Sequence, residues 1–456
     1  MQDNAAYFLS EIRLALGEAA TTEVIVSGEG SLPSVYAVTD LAAASIGAAI
    51  AEVAAFASES QRREPSGSVQ VNRRLASYWF QGTIRPDGWQ LPPVWDDIAG
   101  DYRGADGWIR LHTNAPHHRA AALRVLGCQP DRQTVAAAVE RLAVEDLEND
   151  IVLEGGCAAA MRSQEQWLQH PNGAAVALEP LIDLSASESC GTGLPEPDAS
   201  RPLAGLRVLD LTRVLAGPVC TRFLAGWGAE VLRIDPLDWN EGVVIPEVVL
   251  GKRCARLDLK TRPGLSTLEQ LLVGADVLVH GYRSDALEQL GLGEQRRDDL
   301  RPGLIDVCLD AYGWTGPWAA RRGFDSLVQM SCGIAAAGMQ AAEHHEPFPL
   351  PVQALDHATG YLMATAVIRG LRSRLELGTG TRARCSLART ARLLMDGPTG
   401  NLDDRIGRPL DSDWSEVSEI TSWGSASRLR PPCSTATLNM SWDIPAGELG
   451  RHSPDW

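Results

Sequence analysis

Short apolar runs recur along the middle of the chain, separated by stretches with helical spacing. Residues 207–211 (RVLDL), 230–234 (EVLRI), 276–279 (DVLV) and 304–309 (LIDVCL) predict strands. Between the first two, Gly217-Pro218 predicts the opening of a helix over 219–227, because proline suits a first helical turn. Residues 265–273 place Leu265, Leu268, Leu271 and Leu272 on one helical face. Strands alternating with helices predict an α/β fold with a doubly wound, mostly parallel, Rossmann-like sheet. Such sheets bind ligands beyond the carboxyl ends of their strands.

The N-terminal part has a different pattern. Residues 41–57 are Ala-rich, carry Glu52 and predict a buried helix in preference to a membrane span. A stretch with Trp79, Trp89 and Trp95 suits a long connection. Asp106-Gly107 is a turn signal, followed by strand-like alternation at 108–112 and helical spacing at 117–126. Proline- and glycine-bearing stretches at 191–205 and from Gly397 onward punctuate the chain. The expected organisation is therefore an N-terminal segment over 1–96 with its Ala-rich helix, a smaller α+β domain over 97–190, and a linker at 191–205. A large domain over 206–396 and a return segment over 397–456 complete it. A weak repeat crosses these units: 36–49 (YAVTDLAAASIGAA) resembles 352–365 (VQALDHATGYLMAT), with Asp40 opposite Asp356. Further on, 68–80 lies opposite 381–393. The repeat is consistent with a partial duplication, and equally with two unrelated Ala-rich helices that each have an Asp N-cap.

The 456 residues carry a net charge of −17, which disfavours a nucleic-acid partner because phosphate-backbone binding needs a basic face. The 9 cysteines are scattered, none at CxxC spacing, so neither a disulfide framework nor a metal site is expected. The first residues carry acids where a secretory signal would carry Lys or Arg, and a cytoplasmic protein without membrane attachment is expected.

Four blocks in order then narrow the reading: GLRVLDLTRVLAGPVCTRFLAGWGAEVLRID, LGKRCARLDLK, ADVLVHGYRSDALEQLGLG and RPGLIDVCLDAYGWTGPWAARRGFDSLVQMSCG. Together they resemble the family III CoA-transferases (CaiB/BaiF-like), the group of formyl-CoA and carnitine CoA-transferases, to which the α-methylacyl-CoA racemases are related. DGWIRLHTNAPHHRAAALRVLGC is similar to that family's small domain, and SWGSASRLRPPCS and WDIPAGELGRHSPDW to its closing segment. The order of parts departs from the family pattern. An Asp-bearing helix and small domain come first here, and the nucleotide-binding half with a second Asp-bearing helix follows.

The resemblance implies CoA transfer from an acyl-CoA thioester to a carboxylic acid, with coenzyme A as substrate and no tightly bound cofactor. It implies a homodimer, possibly interlocked. Asp356 matches the nucleophile, which would form an aspartyl anhydride and then an enzyme–CoA thioester. A helix N-terminus would favour its ionised form; the residues alone leave a plain N-cap open. CoA would meet Leu215, Ala216 and Gly217 in the loop at 213–218, where helix N–H groups can face phosphate. Leu257 and Lys260, in RLDLK, match adenosine-end contacts. Lys252 and Arg253, taken as preceding a strand there, are candidate phosphate cations. Asp235 either faces the ribose or merely ends a strand. Phe324 stands where the racemases carry a His, leaving His357 as the only evident second base. Asp40 is expected to be a relic. His117-His118 and His344-His345 are given no chemistry, and Gly155-Gly156 is the nearest counterpart of a family glycine loop. Two other readings stay open: a non-catalytic CoA-binding paralogue or complementing subunit, and an acyl-CoA racemase or isomerase.

Overall fold

The structure is a computed structural model that describes residues 4–17, 22–63, 67–189, 193–195, 198–283 and 285–456. Its centre is a 7-stranded sheet in the order Lys252–Arg256, Glu230–Asp235, Arg207–Leu211, Val277–His280, Ile305–Asp310, Thr379–Ser386, Asp183–Ser189. All neighbours are parallel except the last pair. The four strands expected from apolar runs are present, each displaced by no more than one residue at either end. They are buried on both faces, as parallel strands sandwiched by helices must be.

Three strands carry no apolar signal. Lys252–Arg256 (KRCAR) ends before Leu257, so the RLDLK segment turns away from the sheet where a strand was expected. Thr379–Ser386 hides its polarity by pairing Arg382 with Asp298 and Arg384 with Glu294. Asp183–Ser189 is largely exposed and pairs antiparallel at the edge. That edge strand corrects the expected boundary of the small domain at residue 190, because it belongs to the large sheet. The small domain's own sheet is antiparallel, built from Gly100–Arg103, Trp108–Leu111 and Ala158–Ala160. Its separate core is formed by Ile98, Ile109, Val135, Leu147 and Ile151. Of the expected linker, residues 191, 192, 196 and 197 lie outside the described residues, as does Cys190.

The N-terminal segment and the tail are not appendages. Cys433–Ser434 pairs with Val69–Asn72, which runs parallel to Val24–Ser27, and Gly424–Arg428 pairs with Ile84–Pro86. One apolar core runs through the N-terminal segment, the large domain and the tail. At its middle the Asp40 helix (Val38–Ser60) packs along the Asp356 helix (Ala354–Leu377). Val38–Ser60 is long and apolar enough to cross a membrane, but it is buried inside the fold. Its Glu52 is paired with Arg372 of the Asp356 helix at 2.6 Å.

The two helices begin in the same way. Ala37 (φ −75, ψ 61) and Gln353 (φ −75, ψ 63) precede them, and neither side chain caps the helix. Val38 N–H donates to the Tyr36 carbonyl and Ala354 N–H to the Val352 carbonyl, both at 2.8 Å. Each aspartate is therefore the third helical residue, not the N-cap. Each helix also lies between two parallel strands, with a further helix after the second strand. The caps of those following helices, Asn72 and Ser386, place Arg73 opposite Leu387, one residue from the pairing expected from the sequence. The shared geometry supports duplication over coincidence.

Candidate functional site

The chain runs outward from Arg207–Leu211 to the edge and then crosses back to Val277–His280 on its other side. The carboxyl ends of these two strands are thus the switch point where a crevice must open. A cleft of about 350 Å³ lies there. Its nucleotide-side wall comes from Leu211–Ala216 and Gly281–Arg283, and Asp310, Arg322, Phe324 and Asp356 line the other wall. The small domain closes one end with His117 and His118.

Asp356 is 8% exposed. Burial, and then the neighbouring Asp325, hold its carboxyl well above the usual carboxylate range. The expected advantage from the helix dipole is thus outweighed by desolvation and a like charge. Asp325, one residue beyond Phe324, is the residue that the sequence reading missed. Its Oδ2 accepts from the N–H groups of Leu355 (2.8 Å) and Asp356 (3.0 Å), so it caps the Asp356 helix from another segment. Gln329 donates to the other Asp325 oxygen and accepts from Leu350 N–H at 2.7 Å, fixing the approach to the helix. Burial pushes Asp325 up to about 6 against these hydrogen bonds. Gly360 lets this helix press on the helix Ala216–Gly226; a Cβ there would overlap the Ala216 carbonyl oxygen.

The loop carrying Leu215, Ala216 and Gly217 lines the cleft through its first two residues, while a Cβ at Gly217 would collide with Thr212. Val214 has φ 64, a left-handed conformation that a β-branched residue adopts only under constraint. The constraint is Glu241, whose Oε1 accepts from Val214 N–H (2.8 Å), Arg233 (2.7 Å) and Trp239 Nε1 (2.7 Å). Asp235 belongs to the same assembly. It is fully buried and receives both arms of Arg233 at 2.9 Å, so it does not face a ribose. It supports the residue that supports the loop.

Lys252 is likewise corrected. It is 0% exposed, and its ammonium donates to Asp210 (3.0 Å), the Pro218 carbonyl (3.0 Å) and Thr221 (2.6 Å). All three donors are consumed in joining the edge strand to the helix beside the cleft, leaving none for a phosphate. Arg253 pairs with Glu230 and Asp455, away from the cleft. Leu257 packs on the outer apolar cluster, and Lys260 is exposed in the turn after it; neither lines the cleft.

Four arginines do line it. Arg321 is spent on Glu148 (2.7 Å) and the Ala158 carbonyl (2.9 Å), which dock the small domain. Arg213 donates to the Tyr282 hydroxyl at 3.2 Å and sits between the Tyr282 and Trp239 rings. Arg283 and Arg322 are exposed, and no hydrogen bond or ion pair among the described residues holds either guanidinium. Phe324 stacks on His112 at 3.7 Å. His357 points elsewhere: it stacks on Phe80 at 4.9 Å, and burial pushes it down to about 3. Gly155-Gly156 ends a small-domain helix and does not reach the cleft.

Around Asp40 the surroundings differ. Arg73 pairs with its carboxylate and also donates to Ser31 (2.7 Å) and the Gly30 carbonyl (3.1 Å).

Known proteins are similar to this chain over part of its length. Residues 203–405 match the model of CoA-transferase family III. The acetyl-coenzyme A transferase nodX of Hypoxylon pulicicidum is 34% identical over 226 residues, covering 47% of this chain and 38% of that protein. The succinyl-CoA:glutarate CoA-transferase of Mus musculus is 32% identical over 219 residues, covering 45% and 50%. This chain therefore spans half or less of the length of these two relatives. A solved structure of Rv3272 from Mycobacterium tuberculosis is 30% identical, with a TM-score of 0.40, covering 43% of this chain and 57% of that one.

Proposed function

We propose, from the match of residues 203–405 to the model of CoA-transferase family III, that the chain is a member of that family and moves CoA from an acyl-CoA thioester to a carboxylic acid at Asp356. The observation that carries this reading is a buried aspartate at the switch-point cleft, facing unpaired cations and a strained loop before a helix N-terminus.

In the proposed sequence, the ionised Asp356 attacks the thioester carbonyl and expels CoA thiolate, leaving a mixed anhydride. The thiolate then attacks the aspartyl carbonyl, releasing the donor acid and leaving an Asp356–CoA thioester. The acceptor carboxylate attacks that thioester and expels CoA again as a second anhydride forms. CoA finally takes the acyl group from it, and Asp356 is regenerated. Each step exchanges one acyl bond for another, so no oxidant or external proton source is needed. CoA is a substrate here, and no tightly bound cofactor takes part. Leu215, Ala216 and Gly217, with Arg283, are the proposed diphosphate contacts. Leu257 and Lys260, at the carboxyl end of the edge strand, are the proposed adenosine contacts.

A racemase would need a second base opposite Asp356. Phe324 stacked on His112, with His357 turned toward Phe80, favours transfer instead. The proposal further holds that the protein is cytoplasmic and homodimeric. Sedimentation should report two chains.

The test is covalent trapping. Incubation with an acyl-CoA and hydroxylamine should modify the peptide containing Asp356 and abolish transfer, whereas Asp356→Asn should give neither modification nor transfer. Modification at Asp40, or full activity in Asp356→Asn, would reject the reading.

A further inference from the structure

Of the cleft's four arginines, two are already committed: Arg321 holds the small domain, and Arg213 is bonded to Tyr282 between two rings. The two uncommitted ones stand on different walls. Arg283 follows the strand Val277–His280, on the nucleotide side. Arg322 precedes Gly323, Phe324 and Asp325, and Asp325 is hydrogen-bonded to the backbone of Asp356 itself. Arg322 is thus attached to the nucleophile's wall. A Cβ at Gly323 would come within 2.6 Å of Ala311 and Tyr312 side-chain atoms, so the segment is pressed onto the strand end and its reach is fixed. Arg322 acts electrostatically on three groups of the small domain, His117, His118 and Cys157. His118 is buried and engages Cys157 at 3.6 Å, but His117 is exposed at the rim. Desolvation and then Arg322 lower its pKa, against Asp238, and its ring can offer a hydrogen bond into the cleft.

An unpaired guanidinium in a cleft whose reacting group is itself a carboxyl has a chemical consequence. The acceptor's reacting carboxylate must meet Asp356, so it cannot also occupy Arg322. A monocarboxylic acid leaves that cation unused. A dicarboxylic acid can present one carboxylate to Asp356 and the other to Arg322, in the charge-assisted geometry that a guanidinium favours. We infer that Arg322, assisted by His117, is a subsite for the second carboxylate of a dicarboxylic acid, and so selects the acceptor or the matching acyl group. The inference rests on Asp356 being the transfer centre, but it concerns binding and can be tested without turnover.

The experiment is calorimetry on the full chain with glutarate, pentanoate and CoA as separate probes. Parent protein should bind glutarate more tightly than pentanoate. Arg322→Gln should weaken glutarate by at least about tenfold, the loss expected for one charge-assisted contact, with pentanoate and CoA unchanged. Arg322→Lys should recover part of the loss, and Arg283→Gln should weaken CoA but not glutarate. If Arg322→Gln weakens CoA and spares glutarate, Arg322 is a phosphate contact and the inference is wrong. Equal loss for glutarate and pentanoate, or a parent that does not prefer glutarate, also overturns it. Glutarate binding through Arg322 in a protein that transfers CoA to no acid would instead count against the transfer reading and leave the subsite standing.

Discussion

Asp356→Asn should make the protein more stable, and increasingly so as pH rises. The side chain keeps its shape, and no side-chain hydrogen bond of Asp356 is present among the described residues, so nothing is lost at the level of contacts. What changes is a proton. In the unfolded chain an aspartate ionises near pH 4, whereas the folded Asp356, buried beside Asp325, holds its proton to well above that value. Between the two pKa values the folded state binds more protons than the unfolded state, so parent stability is intact below the unfolded pKa and falls as pH rises. The slope for one proton is about 1.4 kcal/mol per pH unit, and Asn does not pay it. The stability difference between variant and parent should therefore be small at pH 4, grow by that slope, and level off at the folded pKa. With unfolding entropy of about 2.1 cal/mol/K per residue over 456 residues, this is about 1.5 °C of Tm per pH unit. Denaturant titrations of both proteins at half-unit steps from pH 4 to pH 8 would measure it. Carboxyls other than Asp325 titrate in both proteins and largely cancel, and losing the acid beside it lowers the pKa of Asp325, which adds to the gain in the same direction. A flat difference, or a variant that gains on acidification, would refute the claim that the resting carboxyl is protonated.

Three further outcomes follow from the same interactions. Transfer should rise with pH along a limb set by the Asp325–Asp356 pair, above the ordinary carboxylate range, because only ionised Asp356 attacks; in Asp325→Asn that limb should move to lower pH, as a pH–rate profile would report. Lys252→Met should cost about 3–5 kcal/mol in denaturant titration, since it strands buried Asp210 without its cation, and a neutral effect would mean that the pair is not needed. Lys260→Glu should leave Tm unchanged and weaken CoA several-fold by calorimetry, and undiminished CoA affinity would remove Lys260 from the site.

How much of this was legible depends on where the chain states its chemistry in one place. The runs at 207–211 and 304–309 are apolar on both faces, so they announce buried parallel strands without any tertiary information. KRCAR reads as surface because its lysine is neutralised by Asp210, a residue on a different strand. Thr379–Ser386 is disguised in the same way by Asp298 and Glu294. Asp356 is singled out by resemblance, and its helix by spacing. Neither could reveal Asp325, because the aspartate that caps this helix lies in another segment of the chain. The misassignment of Lys252 and Asp235 has one cause. A charge at the end of a strand looks available in sequence, and only packing shows that Arg233 and Asp210 have already claimed it.

The paired helices show how one backbone position can carry two different carboxyls. Asp40 and Asp356 occupy the third residue of helices that begin with the same backbone geometry, and the dipole at each is the same. The difference lies in the next helix. Where the Asp40 copy has Arg73, the Asp356 copy has Leu387, which lines the cleft and offers no charge. Arg73 engages both oxygens of Asp40 and is itself held by Ser31 and the Gly30 carbonyl, so attack through that carboxylate would first have to break an anchored ion pair. Asp356 has the opposite neighbour, a second acid, which raises its basicity rather than neutralising it. A carboxyl kept uncharged and unpaired in a cleft needs only to lose a proton to become reactive, and its higher pKa makes it the better nucleophile once ionised. Both aspartates line a cavity, of about 940 Å³ at Asp40 and about 350 Å³ at Asp356, so one arginine-for-leucine difference after the second strand separates a carboxylate held in an ion pair from a carboxyl left unpaired.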